Sequence, residues 1–179
     1  MAISTNNLTN TIGIQLKKDA FVVIVKTEWN AHVIDILQEG CVKILSLNNI
    51  DYKIIEMPGA FEIPFAIKKY WVSTEEAADV LEFSEIDGLP IPSKVKIPDA
   101  FIALGCVIRG DTPHFDYVCE GVTQGIMNLN ITLPVPVIYG VLTVNNQLQA
   151  DERLGGKHGN KGEEAAAAAI KMIAFSQSL

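Results

Sequence analysis

Residues 100–114 read AFIALGCVIRGDTPH, and the architecture of the chain can be inferred from them outward. Its first nine residues are apolar or glycine, as expected for a strand that is covered on both faces of a parallel sheet. Gly110 ends the strand, and Thr112 is a good N-cap residue for a helix. Pro113 suits the first helical position, because its missing N–H would have no partner within the helix. The segment therefore predicts a buried strand that leads directly into a helix.

His114 falls in the first turn of that predicted helix. The free N–H groups and the positive dipole end of a helix form a ready site for a phosphate or a carboxylate. An imidazole beside a bound anion can transfer protons near neutral pH, so the segment predicts a site for an anionic substrate. The alternative is that Thr112 and Pro113 only cap the helix and that His114 is an exposed polar residue.

A buried strand followed by a helix recurs along the chain. The apolar spacing predicts strands over 20–26, 52–56, 100–108 and 135–143, and helices over 29–47, 61–71, 113–130, 145–154 and 163–176. Such repeats imply an α/β sandwich with a mostly parallel sheet and right-handed crossovers. Ligands bind such sheets beyond the carboxyl ends of the strands, so the expected site loops are 27–30, 58–62, 109–114 and 143–146.

Two segments fall outside this pattern. Residues 72–98 are expected to form a surface insertion, with a short helix over 74–83 followed by an extended loop that contains prolines. Residues 11–17 can add an edge strand, which in an oligomer could pair with the sheet of a neighbouring chain. A length of 179 residues suits a single domain, 1–179, that carries this insertion.

The composition excludes several classes of protein. A net charge of −7 without a basic cluster argues against a nucleic-acid or anionic-membrane surface. No apolar run approaches a membrane span and residues 2–10 lack the features of a signal peptide, so we expect a cytoplasmic protein. Cys41, Cys106 and Cys119 form no CxxC pair and lie in apolar segments, which predicts buried free thiols and no metal site. The glycine-rich segment 155–162 lacks the spacing of a nucleotide-binding P-loop.

Four segments in one order go beyond an argument about fold class. They are Trp29-Asn30, PGAFEIP at 58–64, GCVIRGDTPH at 105–114 and DERLGGKHGNKG at 151–162. In this order and register they resemble the lumazine synthase family, over roughly residues 12–175 without 72–98. The resemblance implies a flavodoxin-like three-layer sandwich, in which a four-stranded, mostly parallel sheet has helices on both faces.

The resemblance also implies a reaction and its site residues. A ribitylaminopyrimidinedione condenses with dihydroxybutanone phosphate, with neither a metal nor an organic cofactor, and His114 matches the family's proton-transfer histidine. Arg153 matches its phosphate-binding arginine, together with Thr112 and the backbone of Gly110 and Asp111. For the other substrate the resemblance implies Trp29 over the pyrimidine ring, Glu62 with the backbone of Ala60 and Phe61 on the ribityl hydroxyls, and the backbone of Val107 and Ile108 on the heterocycle.

An oligomer is implied as well, because Tyr139, Arg153 and Lys161 would come from the adjacent subunit of a homopentamer. The loop 155–159 resembles that of members whose pentamers form icosahedral capsids of sixty chains, and riboflavin synthase is an implied partner.

Each assignment has a structural alternative. Trp29 could be an aromatic residue at the edge of the core, and Glu62 a favourable acid near a helix start. Arg153 could be a solvated helix residue that pairs with Asp151 or Glu152. His32 and His158 are predicted to be surface residues. For the whole chain the alternative is a non-catalytic flavin-binding or storage shell protein of the same fold.

Overall fold

Strands and helices alternate along the chain. The computed structural model describes the backbone of residues 8–87 and 95–179, and the side chains of 8–80 and 95–179. The elements are β1 (Phe21–Thr27), α1 (Ala31–Leu47), β2 (Asp51–Met57), α2 (Ile63–Asp87), β3 (Ala100–Ile108), α3 (His114–Thr132), β4 (Val137–Val144), α4 (Gln147–Asp151), β5 (Leu154–Gly156), β6 (Gly159–Asn160) and α5 (Lys161–Ser178). A 3₁₀ turn, Ala60–Glu62, precedes α2.

The main sheet has four parallel strands in the order β2-β1-β3-β4. Side chains of a strand alternate between its faces. Ile102 of β3 accordingly lies in the core beneath α1 and α5, and the neighbouring Phe101 lies in the core beneath α2 and α3. The sheet is therefore the middle layer of a three-layer sandwich, and its strand order is that of flavodoxin-like folds. This confirms the predicted fold class.

Helix α2 is much longer than the sequence analysis predicts. It runs without a break from Ile63 to Asp87, so the separate helices predicted over 61–71 and 74–83 are wrong. Ser73 and Thr74 are accommodated within the helix, because both hydroxyls donate to the carbonyl of Tyr70, at 2.9 and 2.8 Å.

The length of α2 carries it past the sheet. Twenty-five helical residues span about 37 Å at 1.5 Å per residue, whereas a seven-residue strand spans about 23 Å. The prolines of the predicted loop lie partly in 88–94, outside the described residues. The chain then returns beside β1, where the Asp99 carboxylate accepts a hydrogen bond from the backbone N–H of Phe21 at 2.8 Å.

Two further predictions are wrong. Residues 11–17 form no strand, because the segment lies along the end of α5, where the Gln177 side chain accepts from the N–H groups of Lys17 and Lys18. The helix predicted over 145–154 ends at Asp151, and the glycine-rich segment forms the small antiparallel hairpin β5–β6. Gly155 and Gly159 have φ of 106° and 74°, which glycine adopts at little cost.

No helix within 8–87 and 95–179 has both the length and the apolar character needed to cross a lipid bilayer.

Candidate active site

A cleft of about 480 Å³ lies at the carboxyl ends of β1, β2 and β3. This first cleft gathers the loops that follow all three strands, as predicted, whereas the fourth predicted site loop, 143–146, contributes no residue to its lining. Its lining residues are Trp29, Asn30, Gly59, Ala60, Phe61, Glu62, Cys106, Val107, Ile108, Gly110, Thr112, His114, Phe115 and Val118.

Trp29 stands over the first cleft on a fixed backbone. The next residue, Asn30, adopts the left-handed conformation with φ 61°, and its side-chain amide donates to the carbonyl of Cys106 at 2.9 Å. The hydroxyl of Thr27 donates to the Trp29 carbonyl at 3.2 Å. The Trp29 residue is 73% exposed, so the alternative of a core-edge aromatic is wrong. An open indole on a fixed loop offers a large flat face to a planar ligand.

His114 is the first residue of α3. The N-cap is Pro113, with φ −61° and ψ −7°, and no side chain caps this helix end, so the predicted N-cap at Thr112 is wrong. The proline itself takes the boundary position, and Thr112 lines the first cleft instead. In the first turn the N–H of Asp116 donates to the Pro113 carbonyl at 3.0 Å, whereas those of His114 and Phe115 meet no acceptor among the described residues. Free N–H groups beside an imidazole are the arrangement that favours an anion.

Arg109 connects the loop after β3 to its surroundings, a role that sequence analysis missed. Its guanidinium donates to both carboxylate oxygens of Asp116 at 3.2 and 2.7 Å, and its Nε donates to Asn145 at 3.1 Å. The same group lies 4.1 Å from the centroid of the Phe115 ring. The hydrogen bond between Arg109 and Asp116 raises the pKa of the arginine and lowers the pKa of the aspartate. Because these contacts surround residues 110–114, they fix the loop that leads into His114.

Asp111 is exposed and does not line the first cleft. Its neighbours Gly110 and Thr112 do line the first cleft.

A second cleft, of about 430 Å³, holds Arg153, the predicted phosphate-binding arginine, and Lys161, which was also predicted to bind substrate. It shares no residue with the first cleft, so one chain does not bring Arg153 and Lys161 into the cleft of His114. Its lining residues are Val141, Leu142, Thr143, Val144, Gln149, Glu152, Arg153, His158 and Lys161. Tyr139 lines neither cleft: its hydroxyl is 3.1 Å from that of Thr123, and burial raises its pKa.

Arg153 is held by residues that sequence analysis did not pair with it. Its two terminal nitrogens donate to the two carboxylate oxygens of Glu164, at 3.0 and 2.5 Å, and Nη1 also donates to the carbonyl of His158. The alternative of a solvated residue paired with Asp151 or Glu152 is therefore wrong. The hairpin β5–β6 folds the chain back, which brings together two residues that lie eleven positions apart.

Lys161 begins α5 next to this pair. Asn160 caps the helix by accepting from the N–H groups of Gly162 and Glu163 at 2.8 and 3.1 Å. The Lys161 ammonium lies 3.8 Å from a Glu164 oxygen. Burial lowers the pKa of Lys161, whereas the Glu164 charge acts in the opposite direction.

The remaining candidates have structural surroundings. His32 bonds to the side chain of Gln147 at 3.0 Å on the surface, whereas the half-exposed His158 belongs to the second cleft. Cys41 and Cys106 are buried free thiols, as predicted, and Cys119 is half-buried. Burial raises the pKa of Cys41 to about 12 and that of Cys106 to about 11. Among the described residues no group of His, Cys, Asp and Glu is placed to hold a metal ion.

The fold and the first cleft together define a flavodoxin-like α/β protein in which an open indole and an imidazole line one cleft at the carboxyl end of the sheet. Comparison with known proteins gives the family. The model of the family described as 6,7-dimethyl-8-ribityllumazine synthase matches residues 19–177. The chain therefore belongs to the 6,7-dimethyl-8-ribityllumazine synthase family.

Similar proteins of several bacteria carry that same name. The one from Bacteroides fragilis is 46% identical over 159 residues, which cover 87% of this chain and 96% of the relative. The one from Porphyromonas gingivalis is 44% identical over 163 residues, or 89% of this chain and 88% of the relative. The one from Flavobacterium johnsoniae is 40% identical and covers 99% of this chain and 84% of its own length.

Proposed function

We propose that the chain is a 6,7-dimethyl-8-ribityllumazine synthase, a transferase of riboflavin biosynthesis. It condenses 5-amino-6-ribitylaminopyrimidinedione with 3,4-dihydroxy-2-butanone 4-phosphate and releases inorganic phosphate and water. The observation that carries the proposal is the first cleft, which joins an open indole to an imidazole at an uncapped helix start. Membership of the family gives this arrangement its substrates.

Each stage of the reaction moves protons, which is the work assigned to His114. The pyrimidine amine attacks the ketone to give an imine, phosphate leaves by elimination, and a second condensation of amine with carbonyl closes the ring. His114 takes and returns the protons, while the first turn of α3 and Thr112 receive the phosphate. The proline at 113 has no N–H, so the phosphate is expected to use the N–H groups on either side of it.

The pyrimidine substrate occupies the other part of the first cleft. Trp29 stacks on the ring, and the Glu62 carboxylate accepts hydrogen bonds from the ribityl hydroxyls. The backbone groups of Ala60 and Phe61 support the ribityl chain, and those of Val107 and Ile108 meet the heterocycle. The remaining phosphate contacts fall to the backbone of Gly110 and Asp111.

The complete site needs a second chain. Arg153 and Lys161 lie in a cleft that shares no residue with the first, so we assign them, with Tyr139, to the first cleft of a neighbouring subunit. Large apolar side chains that remain open to solvent on and near α3 support a subunit interface on this side of the molecule. They include Phe61, Phe65, Tyr117, Met127 and Ile131.

A contact between two different surfaces repeats around a ring until the ring closes. We assign a homopentamer to this chain. We further assign an icosahedral capsid of sixty chains, which the resemblance of the loop 155–159 supports. A cytoplasmic location is also proposed, and the resemblance to the family supports riboflavin synthase as a partner. Mass measurement in solution tests the pentamer and the capsid.

The activity test uses both substrates and the absorbance of the lumazine product. Product formation above the uncatalysed rate is the expected result, and its absence would refute the enzyme. Binding of flavin without turnover would instead favour the storage protein.

Mixed oligomers test whether two chains share a site. His114→Ala and Arg153→Ala should each have little activity, because each removes one half of every site. A site that combines two intact halves forms where an Arg153→Ala chain supplies the first cleft and a His114→Ala chain supplies the second. Co-assembly at equal amounts should therefore restore about a quarter of the wild-type activity in a head-to-tail ring. No recovery in proven mixed oligomers would mean that the clefts act within one chain.

A further inference from the structure

Glu164 is the one charged residue that is buried among the side chains the structure describes, with 8% of its surface exposed. It lies in the first turn of α5 and receives two hydrogen bonds from Arg153. Lys161 stands 3.8 Å away on the same helix. A buried carboxylate is costly unless it is paired, so its place between two cations needs an explanation.

The contacts of Arg153 leave one edge of its guanidinium open. Nη1 gives one hydrogen to Glu164 and the other to the His158 carbonyl, while Nη2 gives one hydrogen to Glu164. In the described part of the chain, the Nε hydrogen and the second Nη2 hydrogen meet no acceptor. These two hydrogens lie on the same edge of the planar group, spaced to meet two oxygens of one phosphate.

The two cations also need a counter-charge. Arg153 and Lys161 line the same cleft, and like charges in a partly buried place repel each other. The largest effect on the pKa of Lys161 is burial, which lowers it. The charge of Glu164 raises this pKa, and the charge of Arg153 lowers it. Glu152 and His158 line the same cleft, while Lys43 of α1 pairs with Glu163 at 2.8 Å. The strands beneath α5, β3 and β4, carry no charged side chain.

We propose that Glu164 is a positioning residue, which holds Arg153 and Lys161 in place as the phosphate-binding cations of the second cleft. It binds the inner edge of the Arg153 guanidinium, so the outer edge is aimed at the substrate before the substrate arrives. Arg153, Lys161 and Glu164 together carry one net positive charge, and the open edge of the Arg153 guanidinium is where an anion meets it; the Glu152 carboxylate on the same cleft carries the opposite charge. This inference rests on the proposed function, because it concerns the site at which phosphate is bound.

The test compares Glu164→Gln with Glu163→Gln in the full-length oligomer. The two residues are adjacent in the first turn of α5, but Glu163 pairs with Lys43 of α1, whereas Glu164 pairs with Arg153 and Lys161. Glu164→Gln should raise the KM of the phosphate substrate and the inhibition constant of inorganic phosphate about tenfold, as expected for the loss of a charge-assisted pair. The KM of the pyrimidine substrate should change less than about twofold, because Glu164 does not reach the first cleft.

The pH profile gives a second readout that a purely structural role would not change. Without the Glu164 charge, the Lys161 ammonium loses the group that favours its protonated form. Phosphate affinity should then decline with rising pH at a lower pH in Glu164→Gln than in the wild type. Glu163→Gln should match the wild type in both KM values and in this profile.

The outcomes separate the inference from the proposed function. If Arg153→Ala leaves phosphate inhibition unchanged, the phosphate role in the proposed function fails. If Arg153→Ala weakens phosphate binding while Glu164→Gln does not, or if Glu164→Gln tightens it, the positioning role is overturned. If Glu164→Gln does not fold, Glu164→Asp keeps the charge on a shorter side chain, and the same split between the two KM values is expected at reduced size.

Discussion

Replacing Gly162 by alanine should separate two helices that now touch. An added Cβ at this position would lie 1.9 Å from the carbonyl oxygen of Leu37 and 2.7 Å from its carbonyl carbon. Both atoms belong to the backbone of α1, so no side-chain rotation can relieve the clash. Helices α1 and α5 would have to move apart, which opens the core that contains the fully buried Leu37 and Ile170.

The magnitude follows from the cost of overpacking. Forcing an extra methyl group into a tight contact costs about 1–3 kcal/mol. At roughly 2–4 °C per kcal/mol for a domain of this size, the Tm of Gly162→Ala should fall by roughly 2–12 °C. Because Lys161 and Glu164 flank the altered residue, the KM of the phosphate substrate should rise at temperatures at which the variant remains folded.

Thermal unfolding followed by circular dichroism, at fixed protein concentration, measures the change. Gly110→Ala is the matched control for stability, since nothing lies within 4 Å of a Cβ added there. The same Tm for Gly162→Ala and Gly110→Ala would refute the close approach of α1 and α5.

Three other changes have expected outcomes. Trp29→Ala should raise the KM of the pyrimidine substrate about tenfold with little change in Tm, because the indole is open to solvent, and Trp29→Phe should keep most of the affinity. Arg109→Met should raise the KM of the phosphate substrate and change the Tm only slightly, because the contacts of Arg109 lie on the surface and order residues 110–114. Equal KM values in the variant and the wild type would contradict this. Cys41 and Cys106 should resist alkylation at pH 8 until the protein unfolds, because burial raises their pKa values to about 12 and about 11 and leaves almost no thiolate; mass spectrometry of the modified peptides checks this.

The sheet could be predicted from the sequence because buried strands show themselves as apolar runs. Strand β3 has the predicted bounds, 100–108, since polar residues flank a run that is covered on both faces. The continuation of α2 could not be predicted in the same way. Serine and threonine often occur at helix ends, where their hydroxyls bond to free backbone groups. Only the structure shows that the hydroxyls of Ser73 and Thr74 instead bond back to the carbonyl of Tyr70 within one helix.

The first cleft was predictable because its residues follow strands whose carboxyl ends must meet. The side-chain pairings at both clefts could not be predicted, because they depend on the backbone conformation of the loops. The pairing of Arg153 with Glu164 requires the β5–β6 hairpin, and the pairing of Arg109 with Asp116 reaches across the start of α3. Neither spacing matches the helical neighbours, three or four positions apart, that a sequence reveals.

The first and second clefts share no lining residue, so in the proposed ring each chain serves two neighbours at once. A chain on its own holds no finished site, and an opened ring holds one fewer than it has chains. Specific activity should therefore fall on dilution while every chain is still folded. The enzyme would then be switched off by dissociation at concentrations far from those that unfold it.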